Sequence, residues 1–99
     1  MTNRSSSYKE ALYEDLQDDQ EALVYLQTAL EDSREAFLTA LRNVADARQF
    51  SKVARDSDLD RVNLYRMLSP TGNPTLASLE KILTALGFRL SITSGKTAA

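Results

Sequence analysis

Phe50-Ser-Lys-Val-Ala-Arg-Asp-Ser-Asp-Leu-Asp-Arg-Val-Asn-Leu-Tyr-Arg-Met-Leu-Ser69 is the stretch on which the reading of this chain turns. Val53, Leu59, Leu64 and Met67 are apolar at spacings that place them on one inner face shared by two short helices. Ala54 falls where those helices cross most closely, and a small side chain is needed there. Ser51 is expected to cap the first helix and Asp60 the second, because each offers an oxygen to an orphan N–H of the first turn. The second helix then carries Arg61, Val62, Asn63, Tyr65 and Arg66. Such a layout is how a helix-turn-helix inserts one helix into the major groove of DNA. A helical hairpin with a merely polar outer face has the same local pattern, so both readings stand at this point.

Working towards the N-terminus, residues 34–48 read as a helix with Phe37, Leu41, Val44 and Ala45 on one face. Asp32-Ser33 breaks the pattern and recaps it. A preceding helix, opened by Asp18-Asp19 and running to about Glu31, is expected to bury Leu23, Leu26 and Leu30. Tyr8 to Leu16 forms a weaker helical stripe, too short to be stable alone in water, so it must dock on something. Residues 1–7 are polar and expected to be disordered. Towards the C-terminus, Ser69-Pro-Thr-Gly-Asn-Pro74 is a strong turn signal, since each proline disfavours helix in the residue before it. Thr75 caps a last helix with Leu76, Leu79, Ile82, Leu83 and Leu86 inward, and Gly87 stops it in the left-handed conformation. Phe88-Arg-Leu-Ser-Ile92 alternates apolar and polar residues, the pattern of a half-buried strand. The chain shows no second strand, so this one needs a partner, either within the chain or from a second copy. The expected organisation is an N-terminal arm (1–17), partly disordered or partner-binding, one helical domain (18–92) and a disordered tail (93–99).

Ninety-nine residues with 42% apolar content suffice for one modest core. Cysteine and histidine are absent, which excludes disulfides, thiolate catalysis and the usual zinc ligand sets. The serines have no histidine to activate them, and three glycines cannot build a phosphate loop. The carboxylate pairs Asp18-Asp19 and Glu31-Asp32 fall at helix ends, where capping explains them. The chain therefore reads as a non-enzyme with no cofactor or metal. No apolar run approaches the ~20 residues that span a bilayer, so no membrane is expected and the location is read as cytoplasmic.

Net charge is −2, but its distribution is uneven. Residues 1–33 hold two basic and eight acidic residues, whereas residues 34–99 hold ten basic and six acidic ones. An acidic segment ahead of a basic one suggests two binding functions.

The run from about Glu21 to Ile92 resembles the HigA-like addiction-module antidote proteins, a branch of the lambda-repressor-like helix-turn-helix superfamily. The residues that carry it are Ala22-Leu-Val-Tyr-Leu-Gln-Thr-Ala-Leu30, Leu59 to Leu68 around Leu64-Tyr65-Arg66, Ser69-Pro-Thr-Gly-Asn-Pro-Thr75 and Ala85-Leu-Gly-Phe-Arg-Leu-Ser-Ile92. The resemblance implies an all-α bundle of about five helices, here with an extra N-terminal helix and one short C-terminal strand. It also implies binding to the operon's own operator and neutralisation of a small toxin, typically an RNase. Two positions depart from the family. Asp58 stands where glycine is usual, and Asp60 where the cap is usually serine. With Asp56 they bring three carboxylates close to the expected DNA face, where they would either repel phosphate or turn outward.

Arg61 and Arg66 are candidates for bidentate contacts to guanine or for pairing with phosphate. Asn63 could reach adenine, although it is expected on the side of the helix nearer the core. Tyr65 would stack on sugar or a thymine methyl, or pack at the core edge. Ser51, Lys52, Asn73 and Thr75 are candidates for the phosphate backbone, although capping alone accounts for Thr75. Tyr8, Leu12, Tyr13 and Leu16, set in a stretch of net charge −7 from Tyr8 to Asp32, are the expected anchors for a basic toxin, or else simply pack on the following helix. Phe88, Leu90 and Ile92 are the expected dimer strand, which would make the protein a homodimer. A competing reading is a protein-interaction module or stand-alone regulator on the same scaffold, with no toxin partner.

Overall fold

The computed structural model describes residues 4–95, which contain six helices. In chain order they are α1 (Arg4–Asp15), α2 (Asp19–Asp32), α3 (Arg34–Ala47), α4 (Phe50–Asp56), α5 (Arg61–Met67) and α6 (Leu76–Ala85). The all-α class expected from the sequence is the observed one. None of the described helices is long and apolar enough to cross a membrane.

Local chemistry sets most of the boundaries. Asp18, Ser33, Asp60 and Thr75 each accept the N–H three residues on, so α2, α3, α5 and α6 all start on a side-chain cap. α4 is the exception and corrects an expectation. Its cap position is Gln49, whose carbonyl accepts from the amides of Lys52 and Val53, leaving Ser51 inside the first turn with no capping role. Burial of Phe50 explains the early start, because the ring must turn inward to join the core. α6 ends as expected on Gly87, at φ 89°, with the Phe88 amide bonded to the Leu83 carbonyl and the Gly87 amide to Thr84. That reciprocal pair of bonds is the Schellman arrangement.

α2 and α3 form an antiparallel hairpin, with α1 laid on α3 and the α4–α5 pair and α6 closing the other side. The core is centred on α3, where Leu41, Val44 and Ala45 are fully buried, and Leu16, Leu64, Leu68 and Ile82 reach it from three other segments. Each such leucine contributes about 1.5–3 kcal/mol of apolar burial. The turn at 69–74 is held by a glycine with no alternative. A Cβ on Gly72 would lie 2.1 Å from the Met67 carbonyl oxygen.

Several expectations at the margins are corrected. Leu30 and Leu76 are exposed, each lying off the centre of the face its helix buries, which is Ala22 and Leu26 in α2 and Ile82 and Leu83 in α6. Arg4–Ser7 belong to α1, while residues 1–3 and 96–99 of the expected disordered ends lie outside the described residues. No strand forms among the described residues. Leu90 and Ile92 are exposed, Ile92 by 98%. Phe88 turns back onto the core instead, its amide consumed by the cap of α6, and no second strand offers a ladder.

Residues 12–17 are part of this fold. Leu16 is only 1% exposed, and Arg48 donates to its carbonyl at 3.1 Å. Leu16→Ala is therefore expected to cost about 2–4 kcal/mol, read as a lower midpoint in urea unfolding at unchanged slope. A midpoint within error of the parent would refute this placement.

Candidate nucleic-acid interface

The α4–α5 unit is built around one turn. The Leu59 amide bonds the Ala54 carbonyl at 2.9 Å and the Asp58 amide bonds Arg55 at 3.1 Å, with Asp58 left-handed at φ 57°. The Asp at the usual glycine position thus adopts glycine's conformation. Ala54 is buried at this crossing, as expected. Ser57 is also buried, and its hydroxyl donates to the carbonyls of Val53 and Ala54, which satisfies it fully. Asp60 then caps α5 through the Asn63 amide.

With Leu64 pinned in the core, the outer side of α5 presents Arg61, Val62, Asn63 and Arg66, all exposed. Asn63 is the correction here, since it faces solvent and not the core. Its side-chain oxygen lies 3.5 Å from the Arg66 guanidinium. Tyr65 is half-buried, its ring stacked on Phe50 at 3.9 Å with 13° between the planes. It packs at the core edge, the second of its two expected placements.

The remaining candidates divide. Ser51 and Lys52 are exposed on α4, but the Lys52 ammonium is paired with Asp56 at 2.6 Å. The hydrogen bond from Lys52 is also what pulls the Asp56 carboxyl below its ordinary value. Asn73 accepts a hydrogen bond from Arg34, which also donates to the Gly72 carbonyl at 3.1 Å. Thr75 is occupied as the α6 cap. Of the three carboxylates in question, Asp60 is held by the α5 N-terminus, while Asp56 and Asp58 line a cleft with Ala77, Glu80, Lys81 and Thr84 beside α6.

Two residues at this site went unread in the sequence. Arg42 of α3 places its guanidinium 5.0 Å from the centre of the Tyr65 ring, and Arg61 lies 5.9 Å from the same point. Arg34 braces the 72–73 loop. Neither pairing has a local signal, because the partners are 23 and 38 or more residues apart.

The expected toxin anchors sit elsewhere. Tyr8 is exposed, Leu12 and Tyr13 are half-buried against the core, and Leu16 is inside it. Tyr13 donates its hydroxyl to Asp46 at 3.2 Å. Burial first, then the adjacent Asp46 charge and this hydrogen bond, push its phenol up to about 12. Around them α1 and α2 expose Glu10, Glu14, Asp15, Asp18, Asp19, Glu21, Glu31 and Asp32.

With this geometry in view, the comparisons with known proteins are specific. The chain belongs to the family described as probable addiction module antidote protein, which it matches over residues 6–94. An uncharacterized protein of Haemophilus influenzae is 40% identical over 86 residues, covering 86% of this chain and 89% of that protein. No solved structure matches the chain. Membership in an antidote family implies a toxin as partner.

Two measurements test the local geometry. Asp58→Gly relieves a left-handed non-glycine residue and is expected to raise stability by about 0.5–1 kcal/mol in chemical denaturation; a loss would show that the aspartate side chain is needed. For Tyr13, the folded state holds the proton more tightly than the unfolded chain. Its contribution is complete below the ordinary tyrosine value near 10 and is lost as pH rises towards 12. Absorbance titration of phenolate is expected to show a last step near pH 12 that Tyr13→Phe removes; a step unchanged in the variant would refute the assignment.

Proposed function

We propose that this antidote protein is a DNA-binding antitoxin of the HigA-like kind, built on a lambda-repressor-like helix-turn-helix, that represses its own operon and neutralises a small RNase-type toxin. On this reading α4 and α5 are the two arms of the helix-turn-helix and α5 enters the major groove. The observation that carries it is the outer side of α5, where Arg61 and Arg66 are exposed without an ion-pair partner among the described residues, on a helix fixed from behind by Leu64. Unpaired guanidinia on a rigid helix suit bidentate contacts to guanine or phosphate.

The protein acts by binding, not as an enzyme. Repressors of this size reach useful affinity by reading two half-sites, so the working form is a homodimer, with the exposed Leu90 and Ile92 available to a second copy. The toxin partner meets the acidic surface of α1 and α2, where Tyr8 is the open aromatic and Leu12 and Tyr13 contribute their half-exposed edges. An RNA-cleaving toxin carries a basic substrate surface, which such a face can cover by charge complementarity.

Gel-shift titration of the promoter fragment ahead of its gene tests the DNA reading. Arg61→Ala and Arg66→Ala are each expected to cost about 1–3 kcal/mol of binding, with relaxed specificity where the contact is to a base. Unchanged affinity in both variants, or no binding by the parent protein, would overturn the assignment of α5.

A further inference from the structure

The ring of Tyr65 gathers charge in an unusual way. Phe50 covers one of its faces at 3.9 Å, so a group lying over the ring must approach from the other. Both Arg42 and Arg61 do so, at 5.0 and 5.9 Å from the ring centre. A ring face attracts a guanidinium but holds only its flat side, leaving the N–H edge free to donate. Two cations sharing one ring repel each other, and that cost is relieved by an anion between them.

No carboxylate among the described residues forms an ion pair with either arginine. Asp46, one turn along α3 from Arg42, receives the Tyr13 hydroxyl, and Asp60, next to Arg61, receives the Asn63 amide. Arg42 and Arg61 are both exposed, and they come from different helices, α3 and α5.

We propose that Arg42 and Arg61 form a two-helix clamp for a backbone phosphate of duplex DNA, with the Phe50–Tyr65 stack as its platform. This rests on the DNA-binding reading and deepens it. It extends the interface to α3, outside the α4–α5 unit, and gives Tyr65 the task of positioning the arginines instead of touching a base. It also assigns Arg61 to phosphate, which leaves Arg66 as the arginine of α5 that faces base edges.

The test uses the full chain and two duplexes, the promoter fragment ahead of its gene and a random-sequence fragment of equal length, titrated over a range of salt. Arg42→Ala is expected to lower affinity for both duplexes by a similar factor, about five- to twenty-fold, and to reduce the salt slope by about 0.9, because a phosphate contact carries no sequence information. Arg42→Lys keeps the charge and is expected to retain most of the slope. Tyr65→Phe keeps the platform and binds like the parent, whereas Tyr65→Leu is expected to lose binding as Arg42→Ala does. Arg42 is exposed, so folding of its variants is expected to be intact, and their circular dichroism and unfolding midpoints check this. Parental binding with an unchanged salt slope in Arg42→Ala would overturn the clamp while leaving the DNA reading in place. Loss confined to the promoter fragment would also overturn it, since that is the behaviour of a base contact. A parent protein that binds neither duplex would remove both proposals.

Discussion

Arg48 is the residue through which the separate parts of this small protein meet. It stands at the C-terminus of α3, where a cation suits the negative end of the helix dipole. Its guanidinium donates to the carbonyls of Leu16 and Leu86, each at 3.1 Å, and reaches Asp19 at 2.8 Å. One planar group thus ties the α1–α2 junction, the end of α3 and the end of α6 together, with the Phe88 ring 5.8 Å away. Its side chain is largely buried while that of Asp19 is exposed, so the carbonyl bonds matter more than the ion pair.

α5 depends on the same core. The helix has only seven residues and could not hold its shape alone. It is held by Leu64 and Leu68 in a core centred on α3, by the Asp60 cap, and by the stack of Tyr65 on Phe50. A short helix fixed on its inner side by packing is suited to present polar side chains at constant spacing. The charge asymmetry of the sequence becomes a spatial one. The carboxylates of the first third spread over α1 and α2, while Arg42 of α3 and Arg61 of α5 meet at Tyr65.

The N-terminal segment illustrates how the same residues can invite two interpretations. Tyr8, Leu12, Tyr13 and Leu16 form an apolar stripe on a marginal helix, which must be covered by something. Within the chain α3 supplies much of that cover: Leu16 is taken wholly into the core, Leu12 and Tyr13 partly, and Tyr8 not at all. Any partner therefore meets a preformed helix with acidic flanks and few open apolar groups.

What the sequence by itself determined is whatever depends on neighbours within about five residues. The caps at Asp18, Ser33, Asp60 and Thr75, the left-handed stop at Gly87, and most of the inner faces of α3 and α6 were legible, because hydrogen bonds to the next turn and helical periodicity are local. Misreadings arose where local pattern met a distant constraint. Ser51 lost its capping role to the burial of Phe50, Leu30 and Leu76 were left exposed off their buried faces, and the alternating residues 88–92 found no ladder. Only the tertiary structure decided the joining of Arg42 to Tyr65, Arg34 to the 72–73 loop and Arg48 to the α1–α2 junction and the end of α6. Each is a charged side chain whose partner lies more than twenty residues away, and no spacing along a chain encodes which distant carbonyl or ring a flexible arginine will meet.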